Sequence, residues 1–173
     1  MRILLIRHGI AEDRERFAKS GHADELRPLT VDGRKKMRKV ADGIVKLVPK
    51  LDLIATSTLV RAVETGQIVA RAFDAGRGGH KVKVVEAREL EPGTAGSKLV
   101  KWIARHAGVH VLALVGHEPD LSELAGTMVG GTGRSILALK KGGACLIEID
   151  DPSAPATGKI CCLLTPRQLR KIA

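Results

Sequence analysis

The chain has 173 residues, 44% hydrophobic and 28% charged, proportions that exclude a disordered chain and suit a single domain over 1–173. Lys+Arg 29 against Asp+Glu 19 leaves a net charge of +10, which favours anionic partners. Two Phe, one Trp and no Tyr leave few platforms for stacking bases, and no run approaches the ~20 apolar residues of a membrane span, so neither nucleic acid nor membrane is an expected partner.

Residues 2–6 form a short apolar run that reads as a buried strand, tipped by Arg7-His8-Gly9. The run is too short and too soon charged to be a leader peptide, so a soluble cytoplasmic protein is expected. Residues 11–28 are charged and contain Gly21 and Pro28, which predicts a long loop. Thr30 is a candidate N-cap. Behind it Met37, Val40, Ala41, Ile44, Val45 and Val48 make the stripe of an amphipathic helix ending before Pro49. A second strand is expected over 51–55, with Thr56-Ser57-Thr58 as its exit, then a helix over 60–73 and a turn over 76–79.

The pattern continues with a strand over 81–85, a Pro/Gly loop over 89–96, a helix over 97–107 and the most apolar strand over 109–115. A helix over 118–128 follows, then a break at 130–133. Strands are expected over 135–139, 144–149 and 159–164 around turns at 141–143 and 152–158, with a short helix after Pro166. Strands that alternate with helices predict an α/β fold, a three-layer α/β/α sandwich on a mostly parallel sheet, with antiparallel pairing at one edge. Cys145, Cys161 and Cys162 have neither disulfide-framework nor zinc spacing, and Cys145 and Cys162 are expected as small hydrophobes within strands.

In such a sheet, ligands bind beyond the carboxyl ends of the strands. Three of those ends carry cationic or imidazole groups: Arg7-His8-Gly9, Ser57 through Arg61, and Gly116-His117. Two guanidiniums match phosphate oxygens with paired N–H donors, and two imidazoles can supply a nucleophile and another donor. Gly9 would allow close approach beside the nucleophile, and the arginines should disfavour an imidazolium at His8. Gly131-Thr132-Gly133 lacks the spacing of a nucleotide fingerprint. His22, His80, His106 and His110 read as ordinary surface or capping residues. The basic run 34–39 reads as a solvated helix face, with steering of an acidic partner as the sharper alternative.

The ordered set Ile6-Arg7-His8-Gly9, Arg27-Pro28-Leu29-Thr30 with Gly33, Ser57-Thr58-Leu59-Val60-Arg61-Ala62 with Glu64-Thr65, Glu89-Leu90 with Pro92-Gly93, and Val115-Gly116-His117-Glu118-Pro119 resembles the histidine phosphatase superfamily. The resemblance is closest to its small SixA-type phosphohistidine phosphatases. It implies a phosphoglycerate mutase-like fold, His8 as a transiently phosphorylated nucleophile, and Arg7, Arg61 and His117 as ligands of the phosphoryl group, with Gly9 and Ser57 at the substrate. It implies no metal and no cofactor.

Larger members carry a general acid in an inserted segment that this chain lacks. Glu89 and Glu91 are the nearest candidates, with solvation or a salt bridge as the alternative for each. The implied partner is a phosphorylated protein of the histidine-phosphotransfer type, with phosphate ion as product. A small phosphate ester or anhydride, or non-catalytic phosphoprotein binding, are the alternatives.

Overall fold

A computed structural model describes residues 1–76, 81–94, 96–154 and 156–173. His80 and most of the turn expected over 76–79 therefore lie outside the described residues. The elements run β1 (Arg2–Arg7), α1 (Arg14–Ala18), α2 (Val31–Leu47), β2 (Leu53–Thr56), α3 (Val60–Gly76) and β3 (Lys83–Glu86). They continue through α4 (Gly96–Ala104), β4 (Val111–Gly116), α5 (Asp120–Gly130), β5 (Ala144–Ile149), β6 (Gly158–Leu164) and α6 (Pro166–Ile172).

The six strands form one sheet in the order β3-β2-β4-β1-β5-β6. β3, β2, β4 and β1 are parallel, while β5 runs antiparallel to β1, and β6 antiparallel to β5. Side chains on one face join α2, α3 and α6 in a core that includes Met37, Ile44, Val69 and Leu169. Those on the other face join α4 and α5 through Leu99, Trp102, Ile103 and Leu124. This is the expected sandwich. Covering both faces is what lets β4 be apolar and buried along its whole length. No helix among the described residues is long and apolar enough to cross a membrane.

Local signals explain α2. Thr30 Oγ1 accepts from Gly33 N at 2.8 Å, and Met37, Val40, Ala41 and Ile44 face the sheet. Against it lies α6, so close that a Cβ at Gly43 would sit 2.1 Å from the Leu169 carbonyl oxygen. That approach brings the solvent faces of α2 and α6 side by side.

Four expectations need correction. The loop over 11–28 contains α1, capped where Asp13 Oδ1 accepts from Arg16 N at 2.9 Å, and a 3₁₀ turn at Asp24–Leu26. Residues 135–139 are not a strand. Both edges of β1 are taken, by β4 and β5, so no ladder is open to them there. The parallel strands β2, β3 and β4 each begin two residues later than expected; ahead of β2 and β3, Leu51 and Val82 are buried in the approach loops instead. In the loop expected over 89–96, a 3₁₀ turn forms at Arg88–Leu90 and α4 already begins at Gly96.

Candidate active site

β1 and β4 pair in register, with Arg7 opposite Gly116, so His8 and His117 leave the sheet side by side. His8 N donates to Gly116 O at 3.1 Å, and the two imidazole rings lie 5.1 Å apart between centroids, tilted by 54°. β2 ends alongside. Ser57 N donates to Val115 O at 2.9 Å, and α3 begins three residues later, setting Arg61 in its first turn. Four residues from three distant parts of the sequence thus meet at one rim, and His8, His117, Arg61 and Ser57 are all buried.

His8 Nδ1 lies 2.7 Å from Gly9 O. A carbonyl oxygen only accepts, so Nδ1 carries the proton and Nε2 is left with a free lone pair. The pKa of His8 is pushed down to about 3, first by burial, against the Gly9 hydrogen bond, and then by His117, Arg61 and Arg7. The neighbouring arginines act in the expected direction, but burial is the larger cause. His117 is lowered to about 4, again chiefly by burial, with the Arg61 charge next. Its Nε2 lies 3.0 Å from Ser57 Oγ, and that hydroxyl also accepts from Leu59 N at 3.3 Å.

The two arginines share a design. Arg7 Nη1 donates to Leu139 O at 2.7 Å. Arg61 Nη1 donates to Asp24 O at 2.9 Å, and its Nη2 lies 3.1 Å from Asp24 Oδ2. Each guanidinium is thereby tied down at its far end, while its Nε is buried without a partner among the described residues. Buried donors without acceptors are costly, and two of them beside a pair of imidazoles form a seat for an oxyanion.

Asp24 is the functional neighbour that sequence reasoning missed. Its carboxylate also accepts from Arg27 Nε at 2.9 Å and pairs with Arg14 at 3.4 Å. Although burial alone would raise its pKa, the hydrogen bond from Arg27 and the charges of Arg61, Arg27 and Arg14 together hold it below the ordinary value. The only signal in the sequence was an acid within a charged loop, which names no partner. Thr65 was also undervalued: its Oγ1 accepts from Gly9 N at 3.0 Å and donates to Arg61 O at 2.7 Å, locking the turn after His8 to α3.

The remaining candidates sit differently. The Cβ position of Gly9 faces Leu29 and Met37, with Leu29 Cδ2 3.3 Å away, so the missing side chain makes room for core packing. Glu89 is paired with Arg105 at 3.4 Å. Glu91 Oε1 accepts from Thr58 Oγ1 at 2.7 Å, one residue from Ser57. Cys145 is buried, Cys162 partly so, and Cys161 exposed.

The sequence model of the histidine phosphatase superfamily (branch 1) matches residues 3–95. An uncharacterized protein of Picosynechococcus sp. (strain ATCC 27264 / PCC 7002 / PR-6) is 34% identical over 145 residues, 83% of this chain and 82% of that protein. The mitochondrial serine/threonine-protein phosphatase Pgam5 of Drosophila melanogaster is 33% identical over 91 residues, 53% of this chain but 28% of its own length. Among solved structures, the protein histidine phosphatase SixA complexed with tungstate superposes with a TM-score of 0.79 at 19% identity, over 98% of this chain and 99% of that one. The alpha-ribazole phosphatase from Shigella flexneri superposes with a TM-score of 0.70 at 16% identity, over 96% and 97%. The chain belongs to the histidine phosphatase superfamily and is a phosphoester hydrolase of that superfamily.

Proposed function

We propose that the protein is a phosphohistidine phosphatase, which takes a phosphoryl group from a histidine of a signalling or phosphotransfer protein onto His8 and passes it to water. The observation that carries this reading is a buried His8 with Nδ1 committed to Gly9, beside two unpartnered arginine Nε groups. His8 Nε2 attacks phosphorus, and Arg7, Arg61 and His117 take up the charge on its oxygens. Ser57 holds His117, and the Gly9 carbonyl fixes the tautomer of His8. The resemblance in fold to a protein histidine phosphatase complexed with tungstate, a tetrahedral oxyanion like phosphate, supports the reading.

Leaving-group chemistry favours phosphohistidine over an alkyl ester. When the substrate ring carries a proton on its far nitrogen, breaking its P–N bond releases a neutral imidazole. The His8 ring then carries both its Nδ1 proton and the phosphoryl group. Water attacks that phosphorus, both its hydrogens leave as part of H2PO4⁻, and His8 returns to its starting form. Neither step calls on a carboxylic acid, in keeping with Glu89 and Glu91 being held by Arg105 and Thr58. The reading makes the partner a cytoplasmic phosphoprotein.

The deciding experiment compares kcat/KM for a phosphorylated histidine-phosphotransfer protein with that for p-nitrophenyl phosphate and sugar phosphates. The phosphoprotein should be much preferred, and enzyme quenched in alkaline detergent should carry phosphate on His8 that survives alkali and is released by acid, unlike a stable ester phosphate. A preference for the simple esters would replace this reading with that of a small-ester phosphatase.

A further inference from the structure

Two grooves flank the rim, and they differ in sign. On the α4/α5 side, a groove is lined by Glu89, Asp120 and Glu123 with only neutral residues between them. On the α2/α6 side, Gly9 and Ile10, the two residues after His8, line a groove with Lys36, Lys141 and Arg170. A second groove, lined by Lys35, Lys36, Lys39 and Arg170 with Asp32, shares Lys36 and Arg170 with the first. The cationic surface therefore runs without a break from the turn after His8 along both helices. The turn that carries Lys141 is itself joined to the nucleophile, since Gly142 N donates to the carbonyls of Arg7 and His8 at 3.0 and 3.1 Å.

Packing does not account for these charges. The buried stripe of α2 is Met37, Val40, Ala41 and Ile44, and Lys35, Lys36 and Lys39 are exposed on its other side. Among the described residues, Lys36 pairs with Asp32, while Lys35, Lys39, Lys141 and Arg170 have no carboxylate within ion-pair distance. Like charges at i and i+4, as in Lys35 and Lys39, repel one another along a helix, so they oppose folding slightly.

We propose that the α2/α6 basic face is the docking surface for an acidic face of the phosphoprotein substrate, setting the direction from which its phosphohistidine reaches His8. The inference rests on the phosphohistidine reading above. An acidic partner finds complementary charge along α2 and α6, and none in the groove of Glu89, Asp120 and Glu123, so the basic face favours one approach. The lysines are exposed, Arg170 is half-buried, and together they spread over α2, α6 and the Lys141 turn, which suits a broad protein face better than an enclosed small-molecule subsite. His8 is only 6% exposed, so the phosphoryl group must arrive on a side chain that projects from its carrier. Backbone phosphates, flush with a nucleic-acid strand, do not project in that way.

The test uses the full chain carrying Lys35→Glu and Lys39→Glu together, both on the exposed side of α2, with Lys141→Glu as an independent second variant. For a phosphorylated phosphotransfer protein of acidic surface, kcat/KM should fall roughly tenfold or more at low salt, and the gap should close as salt shortens the screening length. Rates on p-nitrophenyl phosphate should stay within about twofold of wild type, since electrostatic steering acts on the association of large charged faces. Unchanged phosphoprotein turnover in both variants would overturn the proposal, as would an equal loss on both substrates. Inhibition by duplex DNA that the substitutions relieve, with phosphoprotein turnover untouched, would assign the face to nucleic acid instead. Wild-type enzyme that hydrolyses p-nitrophenyl phosphate but no phosphoprotein would mark failure of the phosphohistidine reading itself, and the docking proposal would fall with it.

Discussion

The floor of the site and the segment over its mouth are held by different forces. Arg7, His8 and His117 stand at the ends of β1 and β4, whose apolar side chains are closed off by helices on both faces. Asp24, which anchors Arg61, comes from a segment in which neither α1 nor the 3₁₀ turn buries a single residue. That segment is secured by the Asp24 pairs and by Arg27 Nη1, which donates to Glu12 O at 2.8 Å. The groups that must not move are fixed by packing, and the group that aims an arginine is fixed by charge. The first kind of support is insensitive to salt; the second is not.

The strongest test of the floor is chemical. His8→Ala should cut turnover by at least about 10³-fold and abolish acid-labile phosphate on the enzyme, while phosphate still binds to Arg7, Arg61 and His117. Activity within about tenfold of wild type would remove His8 from the mechanism. In packing, Leu114→Ala, at a fully buried position of β4, should cost about 2–5 kcal/mol in urea unfolding. Phe17→Ala in α1 should cost far less, and equal costs would erase the contrast between the two regions.

Acidification probes the floor in another way. His8 and His117 have folded pKa values near 3 and 4, below the unfolded 6.5. The unfolded chain therefore binds protons that the folded chain refuses, and stability falls as pH drops from about 6.5 toward 4. Each histidine adds up to one proton to that slope, about 1.4 kcal/mol per pH unit, and His8→Ala should remove its share. A slope unchanged in that variant would mean that the imidazole is solvated.

The smallest effect belongs to the mouth. Asp24→Asn leaves Arg61 with more net charge but a poorer aim, so kcat should fall by about tenfold while inorganic phosphate inhibits more tightly. Asp24→Glu should restore part of kcat, and added salt should narrow the difference in wild type. A parallel loss of kcat and phosphate affinity would show that Asp24 only supports the fold.

What was legible in the sequence follows the same division. Strand ends are local: Ile-Leu-Leu-Ile before Arg7-His8 and Val-Leu-Ala-Leu-Val before Gly116-His117 reveal both a buried strand and its polar tip. Thr30 and the stripe from Met37 to Val48 place α2 almost to the residue. The Asp24–Arg61 contact joins residues 37 apart through a loop with no periodicity, and nothing local announces it. Ile136-Leu137-Ala138-Leu139 is a short apolar run of the kind that forms strands, yet its backbone groups are used elsewhere. Leu139 N donates to Glu118 Oε1 at 2.7 Å, and Leu139 O holds Arg7. Gly9 was read for its approach to phosphate, whereas its neighbours are Leu29 and Met37, which only the packing of α2 reveals.

The strand order β3-β2-β4-β1-β5-β6 has a consequence for biosynthesis. β1 leaves the ribosome well before its neighbours, residues 111–116 and 144–149, are made. Until then Ile3, Leu4, Leu5 and Ile6, all fully buried in the finished protein, have no sheet to join. The nascent chain thus carries an unpaired apolar segment while the intervening residues are made, a stage at which such segments aggregate or recruit chaperones. The turn that clasps Arg7 and His8 is made long after them, so a ribosome-bound chain that has not reached Gly143 cannot assemble the surroundings of His8.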